Sequence, residues 1–244
     1  MKLNNKTVLI TGGTSGVGLE LVRQLEGYNC ILVIARAGAR LDNLKREFPA
    51  LHTYAADLGN PDIYPALCQR IVDEHPQIDL LINNAAVQYT PTFLDDDFDY
   101  RSIAREITLN FTAICALTHW LLPALLHSNQ LSRIVNINSG LALAPKTQSA
   151  IYCATKAALA SFSQSLGYQL ENTNVRVLQA FLPLTDTPMT TGRGTVKLSA
   201  QQAAAAIIGG IKQDKTSNHI GKVRLLRVLL AILPPLARKI MKGH

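Results

Sequence analysis

Apolar positions follow two patterns along the 244-residue chain. Short unbroken apolar runs such as Cys30 to Ala35 mark strands covered on both faces of a parallel sheet, and longer stretches between them carry helical spacing. Thr7 to Ile10 predicts a first strand, followed at once by a glycine-rich turn and a helix through about Leu25. Further strands are expected at Leu51–Ala55, Leu80–Ile82, Arg133–Asn138 and Val175–Ala180, with helices over Pro61–His75, Ser102–His127 and Ser149–Asn172. A helix from about Ser199 to Gln213 precedes a last strand near His219–Val223. Strand–helix alternation without a run of hairpins predicts an α/β fold: a doubly wound parallel sheet of about seven strands with helices on both faces. Residues 1–244 read as one domain, because nothing in the chain looks like a linker.

The turn after the first strand reads Thr11-Gly12-Gly13-Thr14-Ser15-Gly16-Val17-Gly18. A glycine-rich turn between a strand and a helix N-terminus is a phosphate site, since glycine lets the backbone come close and free N–H groups attract anions. The second strand ends at Arg36, where dinucleotide-binding sheets of the Rossmann type carry an acid for a ribose hydroxyl or an arginine for a 2′-phosphate. The next acid is only Asp42, so Arg36 favours NADP(H) over NAD(H); a solvated loop arginine is the plainer alternative. The fourth strand ends in Asn83-Asn84-Ala85-Ala86, small residues that let a cofactor lie over the strand ends. Asp95, Asp96, Asp97 and Asp99 read as a charged helix-entry segment; no metal is expected.

Tyr152 and Lys156 lie four apart on the helix after the fifth strand and share a face. A cation beside a phenol favours the phenolate and turns an ordinary tyrosine into a proton-transfer group, whereas a chance pairing would do nothing. The cysteines at 30, 68, 115 and 153 show no paired spacing, so free thiols and a cytoplasmic setting are expected, with Cys153 a packing residue. The start of the chain has no signal-peptide pattern, and no run of about 18 apolar residues suggests a membrane span.

Charge is unevenly placed. The net +7 is held by the seven basic residues from Lys215 onward, where no acid occurs, leaving the first 214 residues balanced. A neutral body argues against nucleic-acid binding. Leucines among Arg224, Arg227, Arg238, Lys239 and Lys242 suggest an amphipathic segment over 222–244. It could lie on an anionic membrane, cover the site, or pack on a partner subunit.

Taken together, the Thr11–Gly18 turn, Asn83-Asn84-Ala85, Ser139 thirteen residues before Tyr152, and Tyr152-x-x-x-Lys156 resemble the short-chain dehydrogenase/reductase family over about residues 7–190. Within it, the stretches around Ser139 and Tyr152 resemble DltE-type oxidoreductases. The resemblance implies hydride transfer between a nicotinamide and a small carbonyl/alcohol substrate, with Asn110, Ser139, Tyr152 and Lys156 as the catalytic set. Tyr152 would move the proton, Lys156 would hold the nicotinamide ribose and depress the Tyr152 pKa, Ser139 would bond the reacting oxygen, and Asn110 would hold a water. It implies cofactor contacts from Thr11, Gly12, Thr14, Ser15, Gly16, Val17, Gly18, Arg36, Asp57, Leu58, Asn84, Ala85 and Thr187, besides Tyr152 and Lys156. Where the family has glycine after the sixth strand, this chain has Pro183, which implies an altered path past the nicotinamide.

Residues 182–215 are expected to form a substrate lid, mobile over Pro188–Lys197, above an apolar pocket lined by Leu141, Leu143, Leu182, Leu184 and Met189 without fixed charge. The long apolar helix suggests a homodimer or homotetramer. The alternative to an enzyme is a non-catalytic dinucleotide sensor of the same fold.

Overall fold

The structure, a computed structural model, describes residues 3–128 and 130–243. Met1, Lys2, Asn129 and His244, which fall in segments read above, lie outside the described residues.

Seven parallel strands form the central sheet: β1 (Thr7–Thr11), β2 (Cys30–Ala35), β3 (His52–Ala55), β4 (Leu80–Asn83), β5 (Ser132–Ser139), β6 (Val175–Leu182) and, after two short strands outside this sheet, β9 (Ser217–His219). Their order is β3-β2-β1-β4-β5-β6-β9, so the chain winds outward one way from β1, then crosses and winds the other. Side chains alternate between faces along a strand, and β1 divides the core accordingly. Val8 and Ile10 pack with α1 (Gly16–Leu25), α2 (Ala39–Glu47) and α7 (Ala200–Lys212), while Leu9 packs on the other side. That other face is covered by α3 (Tyr64–Glu74), α5 (Ala113–Leu126) and α6 (Ala150–Gln169), through Ile71, Leu117, Leu121 and Leu166. Helix α7 starts at a capping box, Ser199 accepting from the Gln202 N–H and Gln202 accepting in return from the Ser199 N–H.

The helix expected over Ser102–His127 is not uniform. It runs as α4 (Arg101–Ile107), a π-helical turn over Thr108–Thr112, and then α5. A π turn inserts a residue into the helical ladder and reorients the side chains within it; here that turn carries Asn110. By length and composition, Arg101–Leu126 could cross a membrane, but half of the stretch is buried inside this domain.

One expectation near the C-terminus needs correction. The last strand is Ser217–His219, paired to Gln179–Phe181, and not His219–Val223. Gly221, at φ +55°, turns the chain out of the sheet, and Val223 already belongs to α8 (Lys222–Ile232). At the base of the segment expected to form the lid, β7 (Thr185–Asp186) pairs in parallel with β8 (Leu198–Ser199), closing 187–197 into a loop. The chain ends in α9 (Pro234–Lys242), whose first turn holds both prolines where their missing N–H groups cost little.

Candidate active site

The strands converge on one end of the sheet, where their C-termini meet the glycine turn. Thr11, the last residue of β1, accepts through Oγ1 from the N–H groups of Asn84 and Ala85, both at 3.0 Å. Asn84 Nδ2 returns the contact to the Thr11 and Gly12 carbonyls at 3.0 and 3.2 Å. The turn is packed so closely that side chains have no room. A Cβ on Gly18 would overlap the Gly12 carbonyl oxygen and lie 2.5 Å from Asn84 Nδ2. Gly12 and Gly16 have φ of +71° and +54°, and a Cβ on Gly16 would lie 3.0 Å from the Thr187 methyl. Thr11, Gly12, Gly16, Gly18, Asn84, Ala85 and Thr187 are thus one cluster although 176 positions separate its ends. Ser15 caps α1 with its backbone extended and its hydroxyl unused by the first turn, which leaves the N–H groups there without a side-chain cap. Thr14, Ser15 and Gly16 are half-buried at this mouth, whereas Val17 and Gly18 are buried beneath it.

The second half of the site hangs on β5 and α6. A buried ladder ties them together: Asn83 donates to Asn136 at 2.8 Å, and Asn136 donates to Ser163 of α6 at 2.8 Å. Ser139 ends β5, and its Oγ accepts from the Leu141 N–H at 3.1 Å. One helical face then presents Tyr152 (9 % exposed) and Lys156 (3 % exposed). Lys156 Nζ donates to the Ile137 carbonyl at 2.8 Å and sits 5.6 Å from the Tyr152 ring centre. Ahead of them, Ser149 is buried in a left-handed conformation (φ +59°) with its hydroxyl unpartnered. Asn110 from the π turn accepts from the Val87 N–H at 2.9 Å and donates to the Val87 carbonyl at 2.9 Å, with a further bond to Thr155 at 3.3 Å. Its side chain therefore anchors the loop after β4.

The electrostatics differ from expectation. Burial raises the Tyr152 pKa, with Cys153 and Glu106 acting in the same sense, while hydrogen bonding to Ser139 and the charge of Arg193 lower it. Burial also lowers Lys156 from 10.5 to about 8. Burial outweighs the help a neighbouring cation gives the phenolate, because Tyr152 and Lys156 share a low-dielectric niche that favours the neutral form of each. Cys153 is likewise raised by burial, as suits a packing thiol.

Other expectations separate. Arg36 is exposed just beyond β2 and its charge reaches Asp57. Asp57 is already engaged, accepting from the Gly59 N–H at 3.0 Å and pairing with Arg105 at 3.1 Å. Leu58 is core, and its carbonyl accepts from Tyr64 at 2.7 Å. Leu141, Leu143 and Met189 are half-buried and Leu184 is exposed, whereas Leu182 belongs to the buried core.

The surroundings of Tyr152 are not free of charge. Arg193, from the loop above β7, donates to Gln88 at 2.6 Å, and both Arg193 and the buried Glu106 influence Tyr152. Glu106 accepts from the Tyr89 N–H at 3.0 Å, and Lys146 feels Arg193 and Cys153. Sequence reasoning missed these groups. Glu106 alone left a signal, standing one helical turn before Asn110.

Comparison with known proteins places this fold among solved relatives. The short chain dehydrogenase family model matches residues 6–197. An uncharacterized oxidoreductase, DltE, of Bacillus subtilis is 36% identical over 237 residues, covering 93% of this chain and 92% of that protein. A short-chain dehydrogenase of Burkholderia cenocepacia, solved with NADP, superposes with a TM-score of 0.88 at 22% identity, covering 99% of both chains. One from Sphingobium yanoikuyae, solved with NADPH, gives 0.79 at 28% identity over 95% of each.

Proposed function

The chain belongs to the short chain dehydrogenase family, and from that premise we propose that this oxidoreductase is NADP(H)-dependent and interconverts a carbonyl and an alcohol, with Tyr152 as its proton-transfer residue. The observation that carries the reading is the buried Tyr152–Lys156 face beside Ser139, one strand end from a glycine turn too tight for side chains. The residues fit a dinucleotide: the uncapped N–H groups after Ser15 suit a pyrophosphate, and Thr187 closes over Gly16 from the opposite wall. Bound there, a nicotinamide supplies or accepts hydride.

The chain's own part is orientation and the proton. In reduction the Tyr152 phenol gives its proton to the substrate oxygen; in oxidation the phenolate takes it back. A raised pKa keeps Tyr152 protonated and ready to donate, and Ser139, whose influence on the phenol opposes that rise, positions the reacting oxygen. Lys156, held by the Ile137 carbonyl, supplies a cation that favours the phenolate as the proton leaves. Arg36 supports the choice of cofactor, being an exposed guanidinium at the end of β2 without an ion pair among the described residues, and the Sphingobium yanoikuyae neighbour was solved with NADPH. The exposed Ile107, Trp120 and Leu126 along α4 and α5 support a homodimer or homotetramer.

The test is oxidation of NADPH and NADH by the pure protein with a panel of aldehydes and ketones. NADPH is expected to be favoured, and Arg36→Ala to raise the KM for NADPH about tenfold while leaving that for NADH unchanged. Equal use of both cofactors by the native chain would overturn the choice of NADP(H).

A further inference from the structure

Helices α8 and α9 hold little in place by their own side chains. Only Val223 of α8 and Ala237 of α9 are buried. The apolar residues left outside fall in register: Leu225, Val228 and Ile232 are three and four apart on α8, and Leu236 and Ile240 four apart on α9. All five are exposed, Leu225 and Ile232 at 70% and 69%. Around them stand Lys222, Arg224, Arg227, Arg238, Lys239 and Lys242. Among the described residues none of these cations has an ion-pair partner, in contrast to the paired Arg23, Arg70, Arg101, Arg105 and Arg133 of the body. A periodic apolar stripe flanked by unneutralised Lys and Arg is the pattern of a helix lying in a lipid headgroup region, where long basic side chains bury their stems and keep their charge at the phosphates.

We propose that the α8–α9 face docks on an anionic lipid surface. A second copy of the chain is a poor occupant. A two-fold contact sets the same patch against itself, and residues 215–243 contain no acid to meet these cations. The position also suits a membrane role. Val223 and Leu226 of α8 pack over Gly140, next to Ser139, and the Lys242 carbonyl accepts from Thr147 at 2.7 Å. Docking on this face therefore sets the rim of the site against the bilayer without inserting it.

Co-sedimentation of the full chain with phosphatidylcholine vesicles, with and without phosphatidylglycerol, tests this and needs no turnover, so its result is independent of the proposed reaction. Binding is expected only with phosphatidylglycerol present, and should weaken as salt rises. Each of Arg227→Gln, Arg238→Gln and Lys239→Gln is expected to weaken partitioning about fivefold, and Leu225→Ser with Ile232→Ser to abolish it while thermal unfolding stays unchanged. Absence of binding by the native chain, or binding indifferent to these substitutions, overturns the proposal. So does a fall in oligomer mass by light scattering on Leu225→Ser with Ile232→Ser without vesicle binding, which makes the face a subunit contact. Capture of a soluble acidic protein in place of vesicles overturns it equally.

Discussion

Two cationic regions of this molecule meet opposite fates. Lys156 is buried, donates to the Ile137 carbonyl, and is forced by its surroundings toward the neutral amine. The basic residues of α8 and α9 stay in water, and the helices that carry them bury one side chain each. Both regions sit on helices with apolar residues at helical spacing, so local sequence does not separate them. The difference lies in what surrounds the helix. Helix α6 packs against β5, β6 and the π turn, and its Tyr152 and Lys156 side chains are almost wholly buried there. The C-terminal pair leans on the domain from one side only. A closed region makes each side chain costly to change, and an open one leaves affinity for partners with little bearing on the fold.

Substitutions can break or sharpen that contrast. Tyr152→Phe should lower kcat about a thousandfold, equivalent to about 4 kcal/mol, while fluorescence titration shows NADPH bound as before. A variant with full turnover would remove the phenol from the mechanism.

Lys156 provides the next largest effect. Its folded pKa, about 8, lies below the ordinary 10.5, so the unfolded chain binds more protons between those values. Stability therefore rises with pH across that window, by about 3 kcal/mol for this group. Chemical denaturation of the native chain and of Lys156→Met at pH 8 and 10.5 isolates the contribution as a difference. Identical pH profiles would mean that the amine is not buried as described.

Gly18→Ala should cost about 2 kcal/mol in the same assay, because its Cβ meets a backbone oxygen that cannot retreat without opening the turn. Cofactor affinity should fall with it. At the open end, Leu225→Ser with Ile232→Ser should shift stability by less than about 0.5 kcal/mol. A loss as large as that of Gly18→Ala would show α8 and α9 to be as closed as the site, and the contrast would fail.

Much of the closed region was legible from local pattern. The strand–turn–helix at Thr11–Gly18, the apolar run at Cys30–Ala35 and the four-residue spacing of Tyr152 and Lys156 all express rules that act over a few residues. Strand order, the partnership of Asn84 with Thr11 and the approach of Thr187 to Gly16 arise from residues far apart in the chain, and no short-range rule encodes them. The π turn at Asn110 was hidden for a similar reason: its residues have ordinary helical spacing, and the insertion is decided by packing against α6 and the loop at Val87.

The sequence by itself determined the class of fold, the glycine turn between β1 and α1, the four-residue spacing of Tyr152 and Lys156, and the placement of the net charge in the last thirty residues. Only the tertiary structure decided the sign of the Tyr152 shift, the arrival of Arg193 and Glu106 beside it, and the isolation of the C-terminal cations. Periodicity and composition are local, so they survive in a linear reading. Burial and the dielectric around a charge depend on what the rest of the chain packs against it, and they exist only once the chain has folded.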